Sequence, residues 1–179
     1  MVEKVNYSKS TEAAAIVERY SRRNCIAPDR YSLTNPSVYM AYQERQRAIL
    51  NFFAHYFPVS RLLDLKLMEV GCGDGKNLLD FLRFGFMTQN LSGIELLPER
   101  VAAARKILPT ELTIHEGDAN VADIAANSQD IVFQSVVFSS ILDANFQQEL
   151  ARRMWQWVRP GGGGFGMTLS TIILSILMS

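Results

Sequence analysis

The chain has 179 residues, 48% of them hydrophobic and 20% charged, with eighteen basic and eighteen acidic residues for a formal net charge of zero. That length is enough for one domain with a full core and an appended helical segment. The neutral balance gives no support to a nucleic-acid surface, so no nucleic-acid partner is expected. Cys25 and Cys72 fit no metal or disulfide spacing, the N-terminus has no apolar signal core, and the longest apolar stretch is too short and too mixed to span a membrane. A cytoplasmic protein without metal or membrane attachment is the expectation.

The first part, residues 1–62, reads as a helical segment. Thr11 to Arg23 carries helix formers, with Ala14, Val17 and Tyr20 on a shared stripe. Cys25 to Pro36 is a loop by its prolines, Asn and Asp. Ser37 to Phe57 is a long helix with Tyr39, Tyr42, Ile49, Phe53 and Tyr56 at helical spacing, and Pro58 ends it.

From Leu63 the pattern changes. Leu67 to Val70 is a short apolar strand running into Gly71-Cys72-Gly73-Asp74-Gly75. A helix follows from Lys76, with Leu78, Leu79 and Leu82 on one face and Gly85 as its stop. Leu91 to Leu96 is a second strand, and Pro98 opens a helix to Leu108. Leu112 to His115 is a third strand and Asp130 to Ser135 a fourth. Asn145 to Val158 is a helix with Phe146, Leu150, Met154 and Trp157 inward, closed by the turn Arg159 to Gly162. This alternation predicts an α/β domain over 63–179, a doubly wound, mostly parallel sheet with flanking helices. Ligands of such sheets bind beyond the carboxyl ends of the strands.

The glycine loop sits at such an end. Glycine permits positive φ and lets a ligand touch the backbone, and the following helix start offers free N–H groups. The dinucleotide fingerprint G-x-G-x-x-G does not fit, because the third glycine comes one residue early and Lys76 takes its place. The phosphate loop G-x-x-x-x-G-K-S/T fails on spacing and on Asn77. Glu95 ends the second strand 20 residues after Gly75, where a carboxylate can accept ribose hydroxyls. Gly117-Asp118-Ala119 follows the third strand.

The run Glu69 to Gly75 resembles the first motif of class I, Rossmann-like S-adenosylmethionine-dependent methyltransferases, an acid followed by G-x-G-x-G. Gly93 to Glu99 resembles the second motif, Gly117 to Ala119 the third, Asp130 to Ser135 the fourth, and Arg159 to Gly162 the turn before the fifth strand. The resemblance covers 63–164. It implies S-adenosylmethionine as cofactor, with Glu69, Gly71, Cys72, Gly73 and Gly75 around its methionine and ribose. It further implies Glu95 and Leu96 at the ribose, Asp118 and Ala119 at the adenine, and Gln134 at the reacting end. It implies methyl transfer to a small-molecule acceptor that the sequence does not identify.

Many members of the family it resembles carry a His or an acid soon after the fourth strand. Here Val136 to Asp143 has serines at those positions and Asp143 as the nearest acid, so no catalytic residue is assigned. His55 is expected to pack in its aromatic helix and His115 to be structural. Tyr31, Tyr39 and Tyr42 are expected on the core face of the helical segment, with closure over the cofactor as the alternative. Two rival readings stand beside the enzyme: a catalytically inactive methyltransferase-like partner subunit, and a nicotinamide-dependent oxidoreductase. The tail after Arg159 carries no charge, and 163–179 has room for about one more strand where the family has three. A frameshift or truncation, or pairing into a homo-oligomer to cover the edge, is the expectation there.

Overall fold

In a computed structural model, residues 11–22, 30, 32–58, 61–167 and 172–176 are described. A six-stranded sheet in the order β3-β2-β1-β4-β5-β6 forms the centre. Its strands are β1 (Leu67–Val70), β2 (Leu91–Glu95), β3 (Thr113–Glu116), β4 (Gln129–Ser135), β5 (Val158–Met167) and β6 (Ile172–Ile176). The first five are parallel and β6 runs antiparallel to β5. The central strands are buried without alternation, as a sheet covered on both faces requires: β1 is buried at every position, Glu69 included. β1 lies between β2 and β4, so the chain reverses its order there and leaves a crevice at the carboxyl ends.

One face is covered by α2 (Pro36–Tyr56), α3 (Lys76–Arg83) and α4 (Pro98–Ile107), the other by α1 (Thr11–Ser21) and α5 (Ala144–Trp157). The starts of these helices are written locally. Pro36 and Pro98 occupy first-turn positions, and Asp143 caps α5 by accepting the N–H of Phe146 at 3.0 Å. The first face is an aromatic core. Phe52 of α2 stacks on Phe165 of β5 with ring centroids 4.4 Å apart, and Phe165 on Phe133 of β4 at 4.7 Å. These rings bind the N-terminal segment to the sheet, each contributing of order 1 kcal/mol beyond its buried area.

Three expectations need correction. The inward stripe of α1 is Ala13 and Ile16, with Ala14 exposed. Both stripes have helical spacing; the contacts of Glu12 and Arg19 with the β4–α5 connection decide which one faces in. His55 is exposed and meets only the edge of Tyr56 among described rings, because Ile49, Phe52 and Phe53 define the buried side of α2. The tail holds two strands where one was expected. β5 begins already at Val158, and β6 pairs with it from Gly163↔Ile176 to Met167↔Ile172. The turn at Arg159 to Gly162 survives as a bulge inside β5: its register passes from Val158 to Gly163 while β4 advances only from Gln129 to Ile131. No described helix is long and apolar enough to cross a membrane, and no described cluster of His, Cys, Asp and Glu could hold a metal.

Candidate functional site

A cavity of about 290 Å³ opens at the carboxyl ends of β1, β2, β3 and β4, under α1 and α2. Its floor is the glycine loop. Gly71, Gly73 and Gly75 have φ of 66°, 58° and 84°, so the loop follows a path that side-chain-bearing residues rarely adopt. Gly71 has a second constraint: a Cβ there would lie 2.5 Å from Val137 Cγ2. The N–H groups of Gly71 and Cys72 both donate to Ile94 O, at 2.8 and 3.2 Å, which pins the loop to β2.

Glu95 organises the crevice. Its Oε2 accepts the N–H of Gly73 at 2.8 Å, its Oε1 the N–H of Leu97 at 2.9 Å, and its backbone carbonyl the N–H of Gly117 at 2.9 Å. One residue therefore joins the loops after β1, β2 and β3. Each carboxylate oxygen keeps a free acceptor site for a ligand hydroxyl.

Asp118 lines the same cavity and is nearly buried. Its Oδ1 accepts the N–H of Asn120 at 2.9 Å, while Oδ2 is buried and has no hydrogen-bond partner among the described residues. Burial raises its pKa, and the bond from Asn120 opposes that rise. A buried acceptor without a donor costs free energy, and a ligand N–H would recover it.

Of the residues singled out by sequence, Gly71, Cys72, Gly73, Glu95, Leu96, Asp118 and Ala119 share this wall. Gly75, Glu69 and Gln134 do not line it. Gly75 is buried at the start of α3. Glu69 is fully buried beneath the loop, where its Oε1 accepts from Asn77 Nδ2 at 2.6 Å and its Oε2 has no described partner. Burial pushes its pKa up to about 8, against the Asn77 bond and the charge of Arg45, so near neutral pH it is mostly protonated. Gln134 faces a separate apolar cleft of about 160 Å³ beside α5, and its Oε1 accepts the N–H of Val137 at 2.9 Å. Cys72 is packed against Gly93, and burial raises its thiol pKa, so it is no nucleophile.

The roof was not legible in the sequence. Tyr31 lies outside the described residues. Tyr39 is exposed, and Tyr42 donates to Asp80 Oδ1 at 2.6 Å, so neither closes the cavity. Burial first, then the Asp80 carboxylate, raises the Tyr42 pKa to about 12 and keeps it protonated. The residues that close the cavity are Ile16 and Tyr20 of α1 and Arg45 of α2. Arg100 of α4 lies 4.4 Å from the Tyr20 ring centroid, a cation–π contact across the mouth. α1 is held on its other side by Glu12, whose Oε1 accepts Arg19 Nη2 at 2.6 Å and the N–H of Leu142 at 2.8 Å. The Nε of Arg45 is buried without a described partner. The helical stripe that includes Tyr20 does not single these residues out, because docking of the helices recruits them.

The wall after β4 is strained. Val136 has φ 56°, a conformation that costs a β-branched residue about 1–3 kcal/mol and is retained where the surroundings impose it. Ser135, Val136, Val137, Ser140 and Ile141 from this stretch line the cavity, and they bring hydroxyls as their only polar side-chain groups.

Known proteins agree with this architecture. No curated protein matches the chain significantly. An S-adenosylmethionine-dependent methyltransferase from Mesorhizobium loti superposes with a TM-score of 0.55 at 23% identity, covering 70% of this chain and 52% of its own. A SAM-dependent methyltransferase from Methanosarcina mazei gives 0.54 at 17%, covering 64% and 55%. The PH0226 protein of Pyrococcus horikoshii OT3 gives 0.61 at 16%, covering 84% and 65%. The chain thus spans about half to two thirds of the length of these proteins. The family model described as a methyltransferase domain matches residues 67–162, more than half of the chain and every strand end that builds the cavity, and the chain belongs to that family.

Proposed function

We propose that the cavity binds S-adenosylmethionine and that the chain transfers the cofactor's methyl group to a small-molecule acceptor. The observation that carries this reading is the buried Oδ2 of Asp118 on the cavity wall, without a hydrogen-bond partner among the described residues and so an acceptor suited to an adenine amino hydrogen. The rest of the wall suits the same ligand. The free acceptor sites of Glu95 suit ribose hydroxyls, and Leu96 and Ala119 flank the position of a flat ring. Arg45, close enough to act on Glu69 beside the glycine loop, suits the carboxylate of the methionine part.

The cofactor supplies an activated methyl group on a sulfonium. The protein supplies placement, which alone accounts for much of the rate of such in-line transfers. Gly71 and Gly73 let the ligand lie against the backbone, Glu95 fixes it at the ribose, and α1 keeps water out from above. The serine hydroxyls after β4 are weak bases. This favours an acceptor whose nucleophile is already deprotonated, and it equally supports the second reading, a subunit that binds cofactor without turnover.

Calorimetric titration with S-adenosylhomocysteine, with NAD as control, tests the reading. Binding of the first ligand alone is expected. A folded chain that binds neither, or binds NAD, overturns it. Turnover in an acceptor screen then separates the enzyme from the inactive subunit.

A further inference from the structure

We propose that Gln134 is a positioning residue, whose side-chain carbonyl holds the turn made by the left-handed Val136 and the following Val137 against Gly71 and so sets one wall of the cofactor cavity. This rests on the cofactor reading above, but concerns a residue that does not line that cavity.

Val136 has no intrinsic reason to adopt φ 56°, because a branched Cβ crowds its own backbone there. Four hydrogen bonds hold the turn. The Val137 N–H donates to Gln134 Oε1 at 2.9 Å, Ser139 Oγ donates to Val136 O at 2.7 Å, and Ser140 Oγ and the Ser140 N–H donate to Val137 O at 2.7 and 2.9 Å. The three serine bonds lie within the segment and would travel with it. Of the four, only the bond to Gln134 reaches back into the sheet, to a strand residue paired with Val70 of β1.

Gln134 is itself held in place. It is nearly buried, and its register partner on β5 is Gly166, where any Cβ would overlap the Gln134 amide nitrogen. The glycine leaves the space through which the side chain turns back toward Val137. On the far side of the turn, Val137 Cγ2 covers the face of Gly71 that lacks a Cβ. The contacts therefore run from Gly166 through Gln134 and Val137 to Gly71, and Val136 and Val137 present their surfaces to the cavity. Releasing the clip lets Val136 relax toward negative φ and moves Val137 off the glycine loop.

The test uses Q134M, which keeps the length and loses the acceptor, Q134E, which keeps an acceptor oxygen, and V136G, for which positive φ is unstrained. Two quantities are read: amide exchange at Val137 in the ligand-free chain, and S-adenosylhomocysteine affinity by calorimetry, with cooperative thermal unfolding as the check on folding. Q134M is expected to speed Val137 exchange and weaken binding by about tenfold, the scale of one lost buried hydrogen bond. Q134E is expected to stay within about threefold of wild type, and in the V136G background Q134M is expected to cost less than about threefold, because coupled residues are not additive. Wild-type exchange or wild-type affinity in a folded Q134M overturns the proposal, as does an equal loss in Q134M and Q134E or an unchanged cost in the V136G background. Failure of the cofactor reading looks different: the wild-type chain itself does not bind.

Discussion

The carboxylate of Glu95 accepts the backbone N–H of Gly73 at 2.8 Å, tying the end of β2 to the middle of the glycine loop. An acid at a strand end is ordinarily read for its ligand. Here it is also structural, since its second oxygen holds Leu97 and its carbonyl holds Gly117.

Glu95→Gln separates these roles. A glutamine amide can accept from only one of the two N–H groups and opposes a donor to the other, so a conflict costing about 1–3 kcal/mol is expected. Urea unfolding should show that loss of stability. S-adenosylhomocysteine binding should weaken by more than about tenfold, since a ribose acceptor is lost together with the loop's anchor. A variant as stable as wild type would show that the two bonds do not hold the loop.

How far the sequence reached follows from the range of the forces involved. β1 is legible to the residue because Leu67 to Val70 is apolar but for Glu69 and is closed by a glycine, and α4 because Pro98 fixes its first turn. Glu95 and Asp118 are legible as residues of the cavity wall because strand-end acids at set distances from a glycine loop are local features. Arg45 and Ile16 reach the cavity through tertiary docking of α1 and α2, which leaves no mark in spacing, and spacing puts Tyr20 on a helical stripe without pointing it at the cavity. Glu69 and Gln134 show the converse. Their positions in the motifs are right for a ligand, but their side chains turn inward, one onto Asn77 and the other onto Val137. With Arg159 to Gly162 as turn, the length of 163–179 leaves room for about one strand, whereas in the fold β5 already begins at Val158 and Gly163 and Gly164 pair with Ile131 and Val132.

Asp118→Asn exchanges an acceptor for a donor at the buried Oδ2 position while the other oxygen can keep the N–H of Asn120. The adenine amino group would then face a donor. S-adenosylhomocysteine affinity should fall by about 10- to 100-fold, the cost of an unmade buried hydrogen bond. S-inosylhomocysteine, with a carbonyl in place of the amino group, should bind the variant better than it binds wild type. Calorimetry with both ligands checks this, and a variant that loses both equally would show that Asp118 does not read that edge.

Glu69 predicts a pH dependence of stability. Burial raises its pKa from 4.5 to about 8 in the folded chain. Between those values the folded state holds a proton that the unfolded state has released. The stability from Glu69 is therefore fully present below about pH 4.5 and is lost as pH rises toward about 8, at about 1 kcal/mol per pH unit. Glu69→Gln, which resembles the neutral acid, should remove that slope and leave the variant the more stable of the two at pH 8. Urea midpoints across pH 5–9 for both chains measure it. Parallel curves would mean that Glu69 is ionised in the fold.

The closure of α1 is expected to set the lifetime of a bound ligand, because the helix is held toward both of its ends. Near its start Glu12 grips the connection after β4 through Leu142, and near its end Arg19 donates to Ser140 O and Tyr20 meets Arg100 on α4. Burial raises the Glu12 pKa, but the bonds from the Leu142 N–H and Arg19 outweigh it and the net shift is downward. That contribution is present above about pH 4.5 and is lost as pH falls through the lower folded value, so acid should free this end of the helix first. Glu12→Gln and Arg100→Ala each loosen one end at neutral pH. Each should speed S-adenosylhomocysteine dissociation several-fold in stopped-flow measurements, with association little changed, since affinity changes within one site fall mostly on the off-rate. The double variant should lose more than either single one, because either attachment alone still tethers the helix. A dissociation rate that neither change moves would place α1 outside the ligand's exit path, and the wall formed by Ile16 and Tyr20 would then be packing alone.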